Sequence, residues 1–179
     1  MKNPKINIGL INPKSPENVS SVLRSAGNFG VAHVFYTGSR YSRAVSLNPD
    51  TPQMSRKVSE YIPLVGVKDL IDIVPSDMKI VCVEFAENAL PLPNYQHPGN
   101  AFYIFGPEDN SIPQDIINQA DDVVYVPTKG CMNLSATVNV LLYDRLAKLF
   151  SATASTHDFK NNDLIRQNRD VNNSLKVPS

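Results

Sequence analysis

The segment VPTKGCMNLSATVNVLLYD, Val126–Asp144, holds the change of hydrophobic period on which the fold turns. It follows Asp122–Val126 (DVVYV), a short β-branched and aromatic run of the kind that forms a strand covered on both faces. Pro127 and Gly130 interrupt that run, and Asn133 stands where a helix cap would stand. Asn133–Phe150 then reads as the longest helix of the chain. It is apolar nearly all round (Leu134, Val138, Val140, Leu141, Leu142, Tyr143, Leu146, Leu149), so burial on several sides is expected. Its own sheet covers one side, and a second subunit is the expected cover for another.

Outward from this segment the pattern alternates strand and helix. Lys5–Ile11, Val31–Tyr36, Lys79–Phe85 and Ala101–Phe105 read as further strands, with a short one at Ile62–Val65. Ser15 caps the first helix, Pro16 takes its first position, Glu17 sits in its opening turn and Gly30 closes it. Val19, Val22, Leu23, Ala26 and Phe29 form its apolar face. Val67–Val74 and Pro113–Gln119 are expected as shorter helices. Gly38–Pro52, with Arg40, Tyr41 and Arg43, is expected as a polar loop, and Leu90–Gly99, with three prolines, as another. The prediction is an α/β fold over residues 1–150, a mostly parallel sheet covered by helices on both faces. Residues 151–179 are polar and Asn-rich, expected as a poorly ordered or loosely docked tail.

With 179 residues, 42% of them hydrophobic, one domain can bury a sizeable core without disulfide or metal. No apolar run approaches the ~18 residues of a membrane span, and the opening MKNPKINIGLINPKSP is a poor signal peptide. Cys82 and Cys131 show no metal-binding or disulfide spacing. A cytoplasmic protein is expected. The 17 basic and 17 acidic side chains cancel, which by itself argues against a polyanionic partner. Their distribution along the chain argues the other way. Residues 1–60 hold eight basic and three acidic groups (+5), residues 61–130 three and ten (−7), and the remainder six and four (+2). A basic surface can therefore come from the first third of the chain.

Ligands of open α/β sheets bind beyond the carboxyl ends of the strands, which selects the loops Glu84–Asn88, Gly106–Ile112 and Pro127–Asn133. The sequence has no GxGxxG after its first strand, no P-loop and no GxSxG elbow. His33, His97 and His157 are scattered without ligand spacing, so no metal is implied.

Three segments, in order, resemble the motifs of the SpoU/TrmH-type RNA methyltransferases of the SPOUT superfamily. They are PENVSSVLRSAGNFGV (Pro16–Val31), FGPEDNSIP (Phe105–Pro113) and Val126–Asp144 itself, and they bracket residues 16–144. The resemblance implies a C-terminal trefoil knot, an exception to the rule against knotted chains. It also implies methyl transfer from S-adenosylmethionine to a ribose 2′-hydroxyl of tRNA or rRNA. Homodimers are implied, with Arg24 of one subunit near the cofactor of the other. Neither membrane nor metal enters.

In that family's terms Arg24 would position and polarise the reacting groups, since a guanidinium with a pKa above ~12 is a poor base. Asn18 would support Arg24, Glu108 would brace its loop or pair with the Arg across the dimer, and Asn133 would hold the cofactor loop and help orient the reacting groups. Gly106, Val126, Cys131 and Met132 would line the adenosyl pocket, with Glu84 and Phe85 beside them. Arg40, Arg43, Arg56 and Lys57 would meet RNA phosphates. Taken alone, Arg24 reads as a surface charge and Asn133 equally as a helix cap. Two positions depart from the pattern: Ser111 stands where the family usually has Gly, and Cys131 where it usually has Ser. They motivate the alternative, a catalytically silent RNA-binding or assembly factor with the same fold.

Overall fold

Each apolar run named above becomes a strand of one sheet. The computed structural model describes residues 5–47, 62–152, 162–169 and 172–177. The chain divides into two compact units, Met1–Leu146 and Ala147–Ser179. In the first, β1 (Ile6–Leu10), β2 (His33–Tyr36), β3 (Leu64–Gly66), β4 (Lys79–Val83), β5 (Leu90–Pro91), β6 (Ala101–Phe105) and β7 (Asp122–Tyr125) pair entirely in parallel. Their order is β3-β2-β1-β6-β4-β7-β5. The central register sets Ile8 opposite Val34 on one side and Tyr103 on the other.

Because side chains alternate across a strand, β1 and β6 feed two separate cores. Ile6, Ile8 and Leu10 join Ala101, Tyr103 and Phe105 against α1 (Pro16–Asn28) and α4 (Leu134–Ala152), through Val19, Val22, Ala26, Val138, Leu141 and Leu142. Phe102 and Ile104 face the other way, toward Leu70, Met78, Cys82 and Ile112, with Ile116 and Ile117 of α3 (Gln114–Ile117) packed on them. Helices thus flank the sheet on both faces. Each fully buried Leu, Ile, Val or Phe contributes ~1.5–3 kcal/mol. The start of α1 is as expected: Ser15 Oγ accepts the Asn18 N–H at 3.2 Å, and Pro16 follows it.

Three expectations need correction. The polar stretch after Gly38 is not a loop throughout, since Arg40–Leu47 forms a helix, α2, with no fully buried residue. Val67–Val74 is not a helix. Asp69 Oδ1 takes the N–H of Ile71 at 2.7 Å, a local bond that competes with helix formation, and Pro75 follows. Leu90–Gly99 is not all loop either: it opens with β5, an edge strand that tolerates Pro91, followed by a 3-10 turn at Leu92–Asn94. In the second unit Asn162–Asn168 forms a short helix, α5.

Candidate active site

Beyond the carboxyl ends of β4, β6 and β7, three loops enclose a cleft of about 330 Å³. Pockets for cofactors and small ligands run from ~300 to 1,000 Å³. Val83, Phe105, Val126, Met132 and Leu134 supply apolar wall. Its charged lining is acidic, Glu84, Glu108 and Asp109, with no Lys, Arg or His among the described lining residues.

At the rim one hydrogen-bonded path joins three distant parts of the chain. Glu108 accepts the backbone N–H of Lys14 (2.8 Å) and of Ser15 (3.0 Å), and the side-chain amide of Asn18 (3.0 Å). Asn18 Oδ1 in turn accepts Asn133 Nδ2 at 2.9 Å. Asn133 Oδ1 then accepts the N–H groups of Ser135 (2.9 Å) and Ala136 (3.3 Å), capping α4. Asn133 is therefore a helix cap and a partner of Asn18 at once. Partial burial pushes the Glu108 carboxyl up, but the donors from Asn18, Lys14 and Ser15 outweigh it and hold it below the usual carboxylate range.

Glu84 laces two of the loops together, accepting the N–H of Phe85 and of Ile112, both at 2.9 Å. A Cβ on Gly106 would lie 3.2 Å from the Ile112 nitrogen and 3.3 Å from Glu84 Oε2, so glycine permits that lacing.

The model of the SpoU rRNA Methylase family matches residues 5–143 of the chain. The chain belongs to the SpoU rRNA methylase family. Among relatives, it is 26% identical over 137 residues to the 23S rRNA (guanosine-2′-O-)-methyltransferase RlmB of Acinetobacter baylyi, covering 72% of this chain and 54% of that protein. It is 26% identical over 165 residues to the tRNA (cytidine-2′-O-)-methyltransferase TrmJ of Methanocaldococcus jannaschii, covering 80% of this chain and 68% of that one. The chain thus spans about half the length of the rRNA relative. The SpoU methyltransferase AviRb of Streptomyces viridochromogenes, solved in complex with AdoMet, shares the fold: TM-score 0.65, 17% identity, 84% of this chain and 60% of that one.

On this SpoU-family framework the remaining candidates separate. Gly106, Val126, Cys131, Met132, Glu84 and Phe85 all line the cleft. Phe85 is half exposed, its ring 5.7 Å from that of Tyr125, and Cys131 is exposed. Asn18 and Asn133 stand at the rim, joined to Glu108. Arg24 is half-buried on α1 and does not line the cleft of its own chain. Arg40 holds Asp109 with both arms of its guanidinium (2.8 and 2.7 Å), while Arg43 is exposed beside Ser39 (3.4 Å). Arg56 and Lys57 lie outside the described residues.

Asp109, Tyr125, Thr128 and Thr137 also line the cleft and were not singled out from the sequence. Asp109, Thr128 and Thr137 lie inside the resembling segments and Tyr125 next to one; the partner of Asp109 lies 69 residues away and leaves no local trace. Apolar walls flanked by carboxylates suit a ligand with an aromatic body and positive charge, and disfavour a polyphosphate. Among the described residues no group of three His, Cys, Asp or Glu is arranged to hold a metal ion, and no helix is long and apolar enough to cross a membrane.

Proposed function

We propose that this SpoU-family chain is an S-adenosylmethionine-dependent RNA 2′-O-ribose methyltransferase, acting on tRNA or rRNA as a homodimer. The observation that carries the reading is the path Glu108–Asn18–Asn133, which unites the three resembling segments at the rim of an acid-lined cleft. S-adenosylmethionine is net cationic, so the carboxylates of Glu84 and Glu108 in the lining fit it, and Val126, Met132 and Leu134 offer an apolar seat for its adenine. When bound, it supplies an electrophilic methyl group.

The chain's own groups orient rather than react. Asn133 fixes the start of α4, Glu108 ties the loop after β6 to the start of α1, and Asn18 holds the two in register. Arg24 enters from the other subunit to polarise the ribose hydroxyl and hold the neighbouring phosphate, without acting as the base itself. Arg43, with Arg56 and Lys57, supplies phosphate contacts. The same reading carries the family's C-terminal trefoil knot.

Calorimetry with S-adenosylmethionine, followed by mapping of 2′-O-methylation in RNA from cells lacking the gene, tests this. Micromolar binding and a missing methyl group on one tRNA or rRNA nucleotide are expected. No binding at millimolar cofactor would leave the silent RNA-binding factor as the reading.

A further inference from the structure

Arg40 reads as an RNA contact in the sequence, yet its guanidinium is engaged by a carboxylate of its own chain. Nη1 and Nη2 donate to Oδ1 and Oδ2 of Asp109 at 2.8 and 2.7 Å, a planar two-point fork, with Lys14 Nζ 3.8 Å from the same carboxylate. Exposed one-point ion pairs contribute little, but a fork also fixes orientation.

The seat of Arg40 is built on purpose-made backbone. Gly38 has φ +76, and the place its Cβ would take is filled by the side chain of Asn12. Asn12 Oδ1 accepts the Arg40 N–H at 3.4 Å, and the Asn12 N–H is accepted by Thr37 Oγ1 at 3.3 Å. The helix that starts at Arg40 has no fully buried residue and meets the sheet's core through the half-buried Tyr41, next to Arg40. Across the cleft mouth, Asp109–Ser111 spans the gap between two anchors, Glu108 on α1 and the Ile112 N–H on Glu84. The other hydrogen bonds of that span are local: Ser111 N–H to Asn110 Oδ1 (2.9 Å) and Asn110 N–H to Pro107 O (3.5 Å). The fork and its Lys14 neighbour are what tie this part of the cleft wall to a distant element.

We propose that Arg40 and Asp109 are a positioning pair for the cofactor cleft, the guanidinium at the start of α2 holding the Gly106–Ile112 loop in the shape that receives S-adenosylmethionine. The proposal rests on the reading of the cleft given under Proposed function. It makes Arg40 act through Asp109 and not through RNA.

The test is calorimetric titration of S-adenosylmethionine, without RNA, into the full chain and into Arg40→Gln, Asp109→Asn, their double variant and Arg40→Lys. Each single variant is expected to weaken binding ~5–10-fold, and the double variant no further than the worse single. Thermal unfolding without cofactor should stay within ~2 °C of the parent, because the pair is at the surface. In turnover assays KM for the cofactor should rise while kcat holds. Unchanged cofactor affinity in both single variants overturns the proposal, and a selective loss of RNA affinity in Arg40→Gln would return Arg40 to the RNA surface. Additive losses in the double variant overturn it too. If a variant fails to unfold cooperatively, Arg40→Lys decides, since it keeps the charge and loses the fork; parental affinity there overturns the pair. A parent chain that does not bind S-adenosylmethionine overturns the cleft reading and the pair together, whereas binding untouched by the variants overturns the pair only.

Discussion

Glu108 is kept ionised by hydrogen-bond donors, three of them fixed by the start of α1. Its folded pKa lies below its ordinary value, so its contribution to stability is complete above the usual carboxylate range of ~4.3 and is lost as pH falls through the lowered value. Thermal unfolding of the parent should therefore lose stability on acidification below pH ~4.5 more steeply than Glu108→Gln, which has no proton to take up there. Parallel curves would remove Glu108 from the acid response. Asn133 allows its two roles to be separated. Asn133→Ala removes the cap and should cost ~1 kcal/mol. Asn133→Asp keeps a good cap but sets an acceptor against Asn18 Oδ1, so Tm should stay within ~2 °C while methyl transfer falls ~10²-fold. Full transfer by Asn133→Asp would confine the residue to capping. Asn18, Glu108 and Asn133 were legible because they sit inside recognisable segments. The fork of Arg40 on Asp109 was not, because a contact between exposed charges 69 residues apart leaves no period and no motif.

Period decided which elements could be read. The strands other than β5, and α4, were legible from their apolar runs, and β1 and β6 are buried over every residue. Helix α2 was missed for the opposite reason: RYSRAVSL buries nothing fully, and Tyr41 packs half-buried on the core, edge-on against Tyr36 with ring centroids 5.1 Å apart. The Val67–Val74 segment was misread because helical spacing was present while the Asp69 side chain claimed the backbone. Nor did the sequence disclose what binds α4 to the segment before β6. Arg145, 7% exposed, donates to the carbonyls of Pro98 and Gly99 (both 2.6 Å) and to the Tyr103 hydroxyl (3.0 Å). His97, a scattered histidine in the sequence, bridges Tyr103 (2.7 Å) and Asp144 (2.9 Å). Arg145→Met keeps most of the apolar stem and strands those acceptors, so a loss of ~3 kcal/mol is expected. Calorimetric unfolding should show Tm lower by roughly 6–12 °C. A change under ~2 °C would mean that water replaces the guanidinium without cost.

At the scale of the whole molecule, α4 leaves Val140 and Tyr143 exposed, 37% and 65%, while Val138, Leu141 and Leu142 of the same helix are wholly buried. That second apolar face, together with Arg24 lying outside its own chain's cleft, supports the homodimer of the proposed function. Light scattering at micromolar concentration should then give about twice the 19.8 kDa of the chain, and Tyr143→Glu should shift it toward monomer. Mass alone does not say whether Arg24 works across the interface; mixing does. Arg24→Ala and Asn133→Asp each disable one half of a site. If Arg24 serves the opposite cleft, a mixed dimer pairs the intact Arg24 of one protomer with the intact Asn133 of the other and rebuilds one of its two sites. With random assortment, transfer by the co-expressed pair should return to about a quarter of the parent's, far above either variant by itself. If Arg24 serves its own cleft, every site in the mixed dimer keeps one damaged member and nothing is regained. Recovery absent from mixtures shown by mass to contain the mixed dimer would place Arg24 within its own subunit, and the exposed face of α4 would then need another explanation.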